Sequence, residues 1–284
     1  MHIVAGIKEM QTVAERLRND GKTIALVPTM GALHEGHLSL IRCAKSNADI
    51  VVTSLFVNPM QFAPHEDFQK YPRNRERDIA LIEREKGDIV FAPEVHEMYR
   101  GNFCTYVVPE KVSEVLEGKF RPTHFRGVAT VVAKLFNITK PHVAVFGQKD
   151  AQQVFVIQKM VNDLNFDLQV IVAPTVRESD GLAMSSRNAY LNNNQRVDAA
   201  VIFASLKNAK EKIASGEKKS SHIISAMQEQ IFQKPSVSSI DYISIANAAT
   251  LEEISELQPH CNILISLAIR FDSTRLIDNI IVES

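Results

Sequence analysis

Short apolar runs alternate along this chain with longer segments whose apolar residues recur at helical spacing. Continuous Val/Ile/Leu-rich runs occupy residues 23–27, 50–57, 88–92, 143–146 and 168–172, and helical periodicity fits 37–46, 75–86, 127–137 and 151–162. Runs without polar alternation mark strands buried on both faces, as in a parallel sheet covered by helices. They predict a Rossmann-like α/β domain over residues 1–176, with helices on both faces of its sheet. Such a sheet binds ligands at the carboxyl ends of its strands, near a switch in strand order. Beyond residue 176 the pattern changes. Residues 195–215 and a stretch ending near 233 read as helices around the polar turn 216–221, and strands of period two follow at 240–245, 262–269 and 276–282. Helices followed by alternating strands predict a smaller α+β domain over 177–284.

Composition narrows the class. The 284 residues carry a net charge of −1 with 23% charged positions, so no single-sign field suits a protein that wraps nucleic acid. Cys43, Cys104 and Cys261 are odd in number and widely spaced, which fits a reducing compartment and offers neither a disulfide framework nor a CxxC metal site. No signal-peptide core and no apolar stretch long enough for a membrane span is evident. The expectation is a cytoplasmic enzyme with small-molecule ligands. Repeats and low-complexity tracts are absent from the sequence.

The first apolar run leads into Pro28-Thr29-Met30-Gly31-Ala32-Leu33-His34-Glu35-Gly36-His37-Leu38. A strand, a glycine-bearing turn and a helix start present backbone N–H groups and a positive helix end to an anion. Three-residue spacing puts His34 and His37 on one side of that helix. Gly31 and Gly36 have P-loop spacing, but His37-Leu38 replaces the Lys-Ser/Thr pair, so the phosphate lysine and the magnesium hydroxyl are missing. His-x-Gly-His after a strand resembles the nucleotide signature of the adenylyl-transferring superfamily, which includes nucleotidylyltransferases and class I aminoacyl-tRNA synthetases.

Three further polar clusters fall at the edges of apolar runs. Asn58 and Gln61 offer amides that pair with hydroxyls, carboxylates or amines without adding charge. In the segment 147–153, Lys149 supplies a point charge for phosphate, Asp150 caps or pairs, and Gln153 lies one helical turn away. Residues 177–188 hold two arginines, the turn signal Asp180-Gly181 and Ser185-Ser186 beside Arg187, the make of a flexible loop that closes over a triphosphate.

Taken together, His34-Glu35-Gly36-His37, the motif from Phe56 to Phe62, Tyr71-Pro72-Arg73, Phe125-Arg126-Gly127-Val128, the motif from Phe146 to Gln153 and the motif from Asp180 to Leu191 resemble the pantoate–β-alanine ligases in content and order. The resemblance implies an ATP site made of Met30, Gly31, Ala32, Leu33, His34, Glu35, Gly36 and His37, with Gly147, Gln148, Lys149, Asp150, Val176, Met184, Ser185, Ser186 and Arg187. It makes His37 the proton donor, with His34, Lys149 and Arg187 sharing the catalytic work. Gln61 and Gln153 would hold pantoate, Gln61 would also serve β-alanine, and Asn58 would assist. Some relatives carry consecutive Asp after Tyr-Pro-Arg; here Arg77 interrupts and only Asp78 remains, so protein ligation of magnesium is left open.

The implied reaction has two halves. Pantoate's carboxylate attacks the α-phosphorus of Mg-ATP to give pantoyl-adenylate and pyrophosphate; the amine of β-alanine then displaces AMP. The resemblance also implies a homodimer formed through the N-terminal domains, and a small C-terminal domain that closes over the site. The competing readings are an AMP transfer to a phosphorylated acceptor, a class I synthetase, for which the last hundred residues leave no room for an anticodon-binding domain, and a nucleotide-binding module without catalysis. His2, His65, His96, His124, His142, His222 and His260 lack zinc-site spacing. His124, near Arg121 and Arg126, is expected in a surface loop.

Overall fold

The structure, a computed structural model, describes residues 1–63, 66 and 68–284; His65 lies outside them. The elements in chain order are β1 His2–Val4, α1 Ile7–Asn19, β2 Ile24–Thr29, α2 Glu35–Lys45, β3 Ile50–Leu55, α3 Arg75–Arg84, β4 Ile89–Phe91, α4 Val95–Met98, α5 Glu117–Phe120, α6 His124–Thr139, β5 Val143–Gly147, α7 Ala151–Asp163 and β6 Gln169–Ala173. Then come α8 Asn193–Asp198, α9 Val201–Ala214, α10 Ser220–Phe232, β7 Ser239–Asn247, β8 Asn262–Phe271 and β9 Thr274–Glu283. The chain divides into two compact units. The first is Met1–Gln148 with Gln152–Pro174; the second is Lys149–Ala151 with Thr175–Ser284.

In the first unit six parallel strands pair in the order β1-β4-β3-β2-β5-β6. Alternate residues of β2 explain its unbroken apolar run. Ile24 and Leu26 join a core with residues of α1, α6 and α7, whereas Ala25 and Val27 join another with residues of α2 and α3. Both faces are therefore buried, as the run predicts. The strand order reverses between β2 and β5, so the carboxyl ends of these neighbours flank the switch point. β1 and α1 precede the first predicted strand. Met10 and Ala14 of α1 are fully buried, with Ile7, Val13 and Leu17 packed beside them at helical spacing.

In the second unit β7, β8 and β9 form an antiparallel sheet with β8 central. Its apolar core joins β8 residues Ile263, Ile265, Leu267 and Ile269 to Ile202 and Leu206 of α9 and Ile223 and Met227 of α10. The single helix predicted over 195–215 is two, α8 and α9. Asn192 and Gln195 cap each other reciprocally at the start of α8, and apolar spacing alone carries no mark of the break at Ala199 and Ala200. Among the described residues no helix is long and apolar enough to cross a membrane.

Candidate active site

After β2 the chain turns through Gly31 at φ 78° and Ala32 at φ 50°. Left-handed backbone at a non-glycine residue needs support from its surroundings. Asp78 of α3 gives that support: its carboxylate accepts the N–H groups of Ala32 and Leu33, each at 2.8 Å. It is 2% exposed, and Arg77 Nη1 donates to the Leu33 carbonyl at 3.1 Å. A Cβ on Gly31 would lie 2.9 Å from Asp78 Oδ2, so the close approach requires glycine. The turn delivers His34 to the N-cap of α2, in extended conformation, and His37 to its first turn. The two imidazole centroids are 4.1 Å apart, and the His34 N–H donates to His37 Nδ1 at 3.4 Å. A paired-imidazole surface at a helix N-terminus suits phosphate oxygens in both charge and hydrogen bonding.

Beyond β3, a 3-10 turn Pro59–Gln61 carries the second cluster. Asn58 is buried and its amide is fully engaged with protein. Its Oδ1 accepts from Met60 N at 3.3 Å and from Tyr99 Oη at 2.8 Å, and its Nδ2 donates to Gln61 Oε1 at 3.2 Å and to the Gly127 carbonyl at 3.1 Å. Asn58 thus orients Gln61, whose Nε2 meets the Met30 sulfur. The Gln61 carbonyl accepts from Arg121 Nη2 at 3.2 Å and from His124 Nδ1 at 2.9 Å. His124 stands at the start of α6, half-buried beneath this turn, and not in a surface loop. Burial, with help from the Arg121 charge, pushes its imidazole down to about 4. The neutral ring then donates from Nδ1 and takes Arg121 Nη1 at its other nitrogen, 3.3 Å away. Arg121 also forms a two-point ion pair with Glu66, at 2.5 and 2.7 Å. Burial alone would raise the Glu66 carboxyl; the Arg121 pair outweighs it and holds it low.

β5 ends at Gly147, and a 3-10 turn Gln148–Asp150 leads into α7. Lys149 Nζ lies 3.4 Å from Asp150 Oδ1. Gln152 faces inward, its amide taking the Glu117 N–H and donating to the Val112 and Val115 carbonyls. Gln153, next to it, is half-buried.

In the second unit the segment 177–188 is braced by hydrogen bonds. Arg177 pairs with Ala183 as an antiparallel bridge, and Met184 N donates to the Val176 carbonyl at 3.0 Å. Arg196 of α8 holds Glu178 and Asp180 at 2.6 and 2.5 Å, and its hydrogen bond keeps the Asp180 carboxyl below the usual range. Ser185 caps the short turn Ser186–Tyr190 by accepting from Arg187 N at 3.3 Å. Of the two arginines, Arg177 is bound to Asp278 of β9.

The expected residues therefore fall into two groups. Met30 through His37, Asn58, Gln61, Gly147, Gln148 and Gln153 belong to the first unit; Lys149, Asp150, Val176 and Met184 through Arg187 belong to the second. A cavity of about 200 Å³ adjoins Met30 and Gly31, with Phe56, Arg73 and Asp78 among its walls, and none of His34, His37, Gln61 or Gln153 lines it. Tyr99 and Arg121 escape motif reading, and so do the structural roles of Asp78 and Gln152, because each serves a partner distant in sequence. Both oxygens of Asp78 face the turn's N–H groups, so the residue does not fit as a magnesium ligand. Among the described residues no cluster of three or more His, Cys, Asp or Glu could hold a metal ion.

Comparison with known proteins adds the family. A family model described as pantoate-beta-alanine ligase matches residues 2–281. The pantothenate synthetase of Acetivibrio thermocellus is 51% identical over 283 residues, covering all of both chains, and that of Caldicellulosiruptor bescii is 51% identical over 284. The crystal structure of pantothenate synthetase from Thermus thermophilus superposes with a TM-score of 0.92 at 41% identity, covering 99% of each chain. The pantoate-beta-alanine ligase of Francisella tularensis, solved in complex with beta-gamma ATP and β-alanine, matches at a TM-score of 0.79 and 34% identity, covering 99% of this chain and 97% of its own. With motifs, fold and near-complete coverage in agreement, this chain belongs to the pantoate–β-alanine ligase family and is an amide-bond-forming ligase.

Proposed function

We propose that the chain condenses pantoate with β-alanine at the carboxyl ends of β2 and β5, through pantoyl-adenylate. The carrying observation is the pair His34, at the N-cap of α2, and His37, in its first turn, beside the switch in strand order. A carboxylate acylates amines poorly, and adenylation gives it a good leaving group. A pantoate carboxylate oxygen attacks the α-phosphorus; the bond to the bridging oxygen breaks and pyrophosphate departs. In-line transfer asks the protein for positioning and for stabilisation of charge. The first-turn N–H groups of α2 and both imidazoles answer the charge on the phosphates, and His37 donates the proton. Lys149 and Arg187 add positive charge at the triphosphate, with Ser185 and Ser186 as hydroxyl donors.

In the second half the β-alanine nitrogen attacks the activated carbonyl, AMP leaves with the bonding pair, and the new amide sheds a proton. Gln61 and Gln153 orient pantoate, and Gln61 also meets β-alanine; Asn58 fixes Gln61. The beta-gamma ATP and β-alanine bound in the Francisella relative support these ligands for this chain. Magnesium enters as part of the MgATP substrate. The family resemblance supports a homodimer that pairs through the N-terminal domains, and a C-terminal domain that closes over the substrates. Three free cysteines support a reducing, cytoplasmic setting.

Omission assays test the reading. AMP should form only with ATP, pantoate and β-alanine together, and pantoate alone should drive exchange of pyrophosphate into ATP. AMP formation that ignores pantoate would refute it.

A further inference from the structure

Asp278 and Asn279 are consecutive on β9, so their side chains leave opposite faces of the C-terminal sheet. Asp278 shares the face of Leu276 and Val282, which pack in the apolar core with α9 and α10. A carboxylate at a core position needs a partner. Arg177 is that partner, donating to its two oxygens at 2.6 and 3.1 Å. The same guanidinium donates to the Gly181 carbonyl at 3.1 Å and stacks 3.8 Å from the centre of the Phe203 ring. Asp278 therefore holds, through Arg177, the turn that leads into Ser185, Ser186 and Arg187.

Asn279 leaves the other face, where Ile281 is 50% exposed, yet Asn279 itself is only 3% exposed. The Asn279 amide donates from Nδ2 to the main-chain carbonyl of Lys149 at 2.8 Å. Lys149–Ala151 groups with the second unit although the residues on both sides of it, Gln148 and Gln152, group with the first. Two neighbouring side chains of one strand thus brace the segments that carry Lys149 and Arg187.

We propose that Asn279 and Asp278 are positioning residues for adenylation: Asn279 sets the main chain from which Lys149 reaches the phosphates, and Asp278 sets the Arg187 segment. The proposal rests on the phosphate role of Lys149 given above. A lysine side chain is a point charge on a flexible stem, so its usefulness depends on where the main chain starts it.

The test is a double-mutant cycle read by pantoate-dependent ATP–pyrophosphate exchange, on chains whose folding is checked by circular dichroism. Asn279→Ala should lower kcat by about tenfold and leave the pantoate KM within about twofold, since pantoate is assigned to Gln61 and Gln153. Asn279→Gln, which keeps the amide donor, should regain part of the loss. In a Lys149→Ala background the Asn279→Ala change should cost nothing more. Full additivity, or undiminished exchange by Asn279→Ala, overturns the positioning role while leaving that of Lys149 standing. Undiminished exchange by Lys149→Ala overturns the role of Lys149 and the proposal with it. Should Asn279→Ala fail to fold, Asn279→Ser carries the same cycle.

Discussion

Gly127 of α6 lies so close to Met60 that a methyl group on it would stand 2.2 Å from the Met60 carbonyl oxygen. The helix rests directly on the turn that carries Gln61, and Asn58 ties the contact by donating to the Gly127 carbonyl. Gly127→Ala should shift this turn at a cost of about 1–3 kcal/mol in stability. It should also imitate Gln61→Ala by raising the pantoate KM well above any change in the ATP KM. Thermal unfolding and steady-state kinetics check both; equal rises for the two substrates would separate Gly127 from the pantoate site.

Removing the Asp78 carboxylate leaves two N–H groups of a left-handed turn without their acceptor. Asp78→Ala should cost about 2–4 kcal/mol, given hydrogen bonds to a charged acceptor, and weaken ATP binding. Asp78→Asn keeps one acceptor oxygen and should lose less. Urea denaturation and ATP titration would reveal this, and an Asp78→Ala chain with unchanged ATP affinity would contradict it.

At His37 the expected loss is chemical and not structural, since the ring sits half-buried at a helix start. His37→Ala should slow adenylation by about 10²–10⁴-fold with little change in unfolding temperature, the range for a positioned acid or charge stabiliser. Near wild-type pyrophosphate release with pantoate would remove His37 from the mechanism.

His124 links stability to pH. Its imidazole titrates at about 4 in the folded chain, chiefly through burial, against about 6.5 in an unfolded one. Between those values the unfolded chain takes up a proton that the folded chain refuses. The stabilisation is therefore complete above pH of about 6.5 and is lost progressively as pH falls toward about 4. The midpoint of thermal unfolding should drop across that window, and His124→Asn should flatten the slope. An identical slope in the variant would assign the acid sensitivity elsewhere.

How much of this the chain announces depends on the range of the interactions. β2 is legible because burial on both faces leaves an unbroken apolar run, and His34 and His37 are legible because a helix start repeats over three residues. Asn58 can be read as a polar group at a strand end. Its use cannot, since its partners Tyr99 and Gly127 stand 41 and 69 positions away. Asp78 likewise looks like one more acid on a polar helix until α3 docks and aims it at the turn. The brace on segment 177–188 is hidden for the same reason: Arg196 and Asp278 lie outside any local pattern.

The long span from Lys149 to Asn279, 130 positions, also bears on biosynthesis. A nascent chain that has emerged only through its motif-bearing part contains His37, Gln61, Lys149 and Arg187, yet lacks β9. Ribosomal synthesis runs from the N-terminus, so the lysine segment waits for a further 130 residues to be made before its anchor exists. A prematurely terminated product would thus pass any motif search while remaining chemically unfinished.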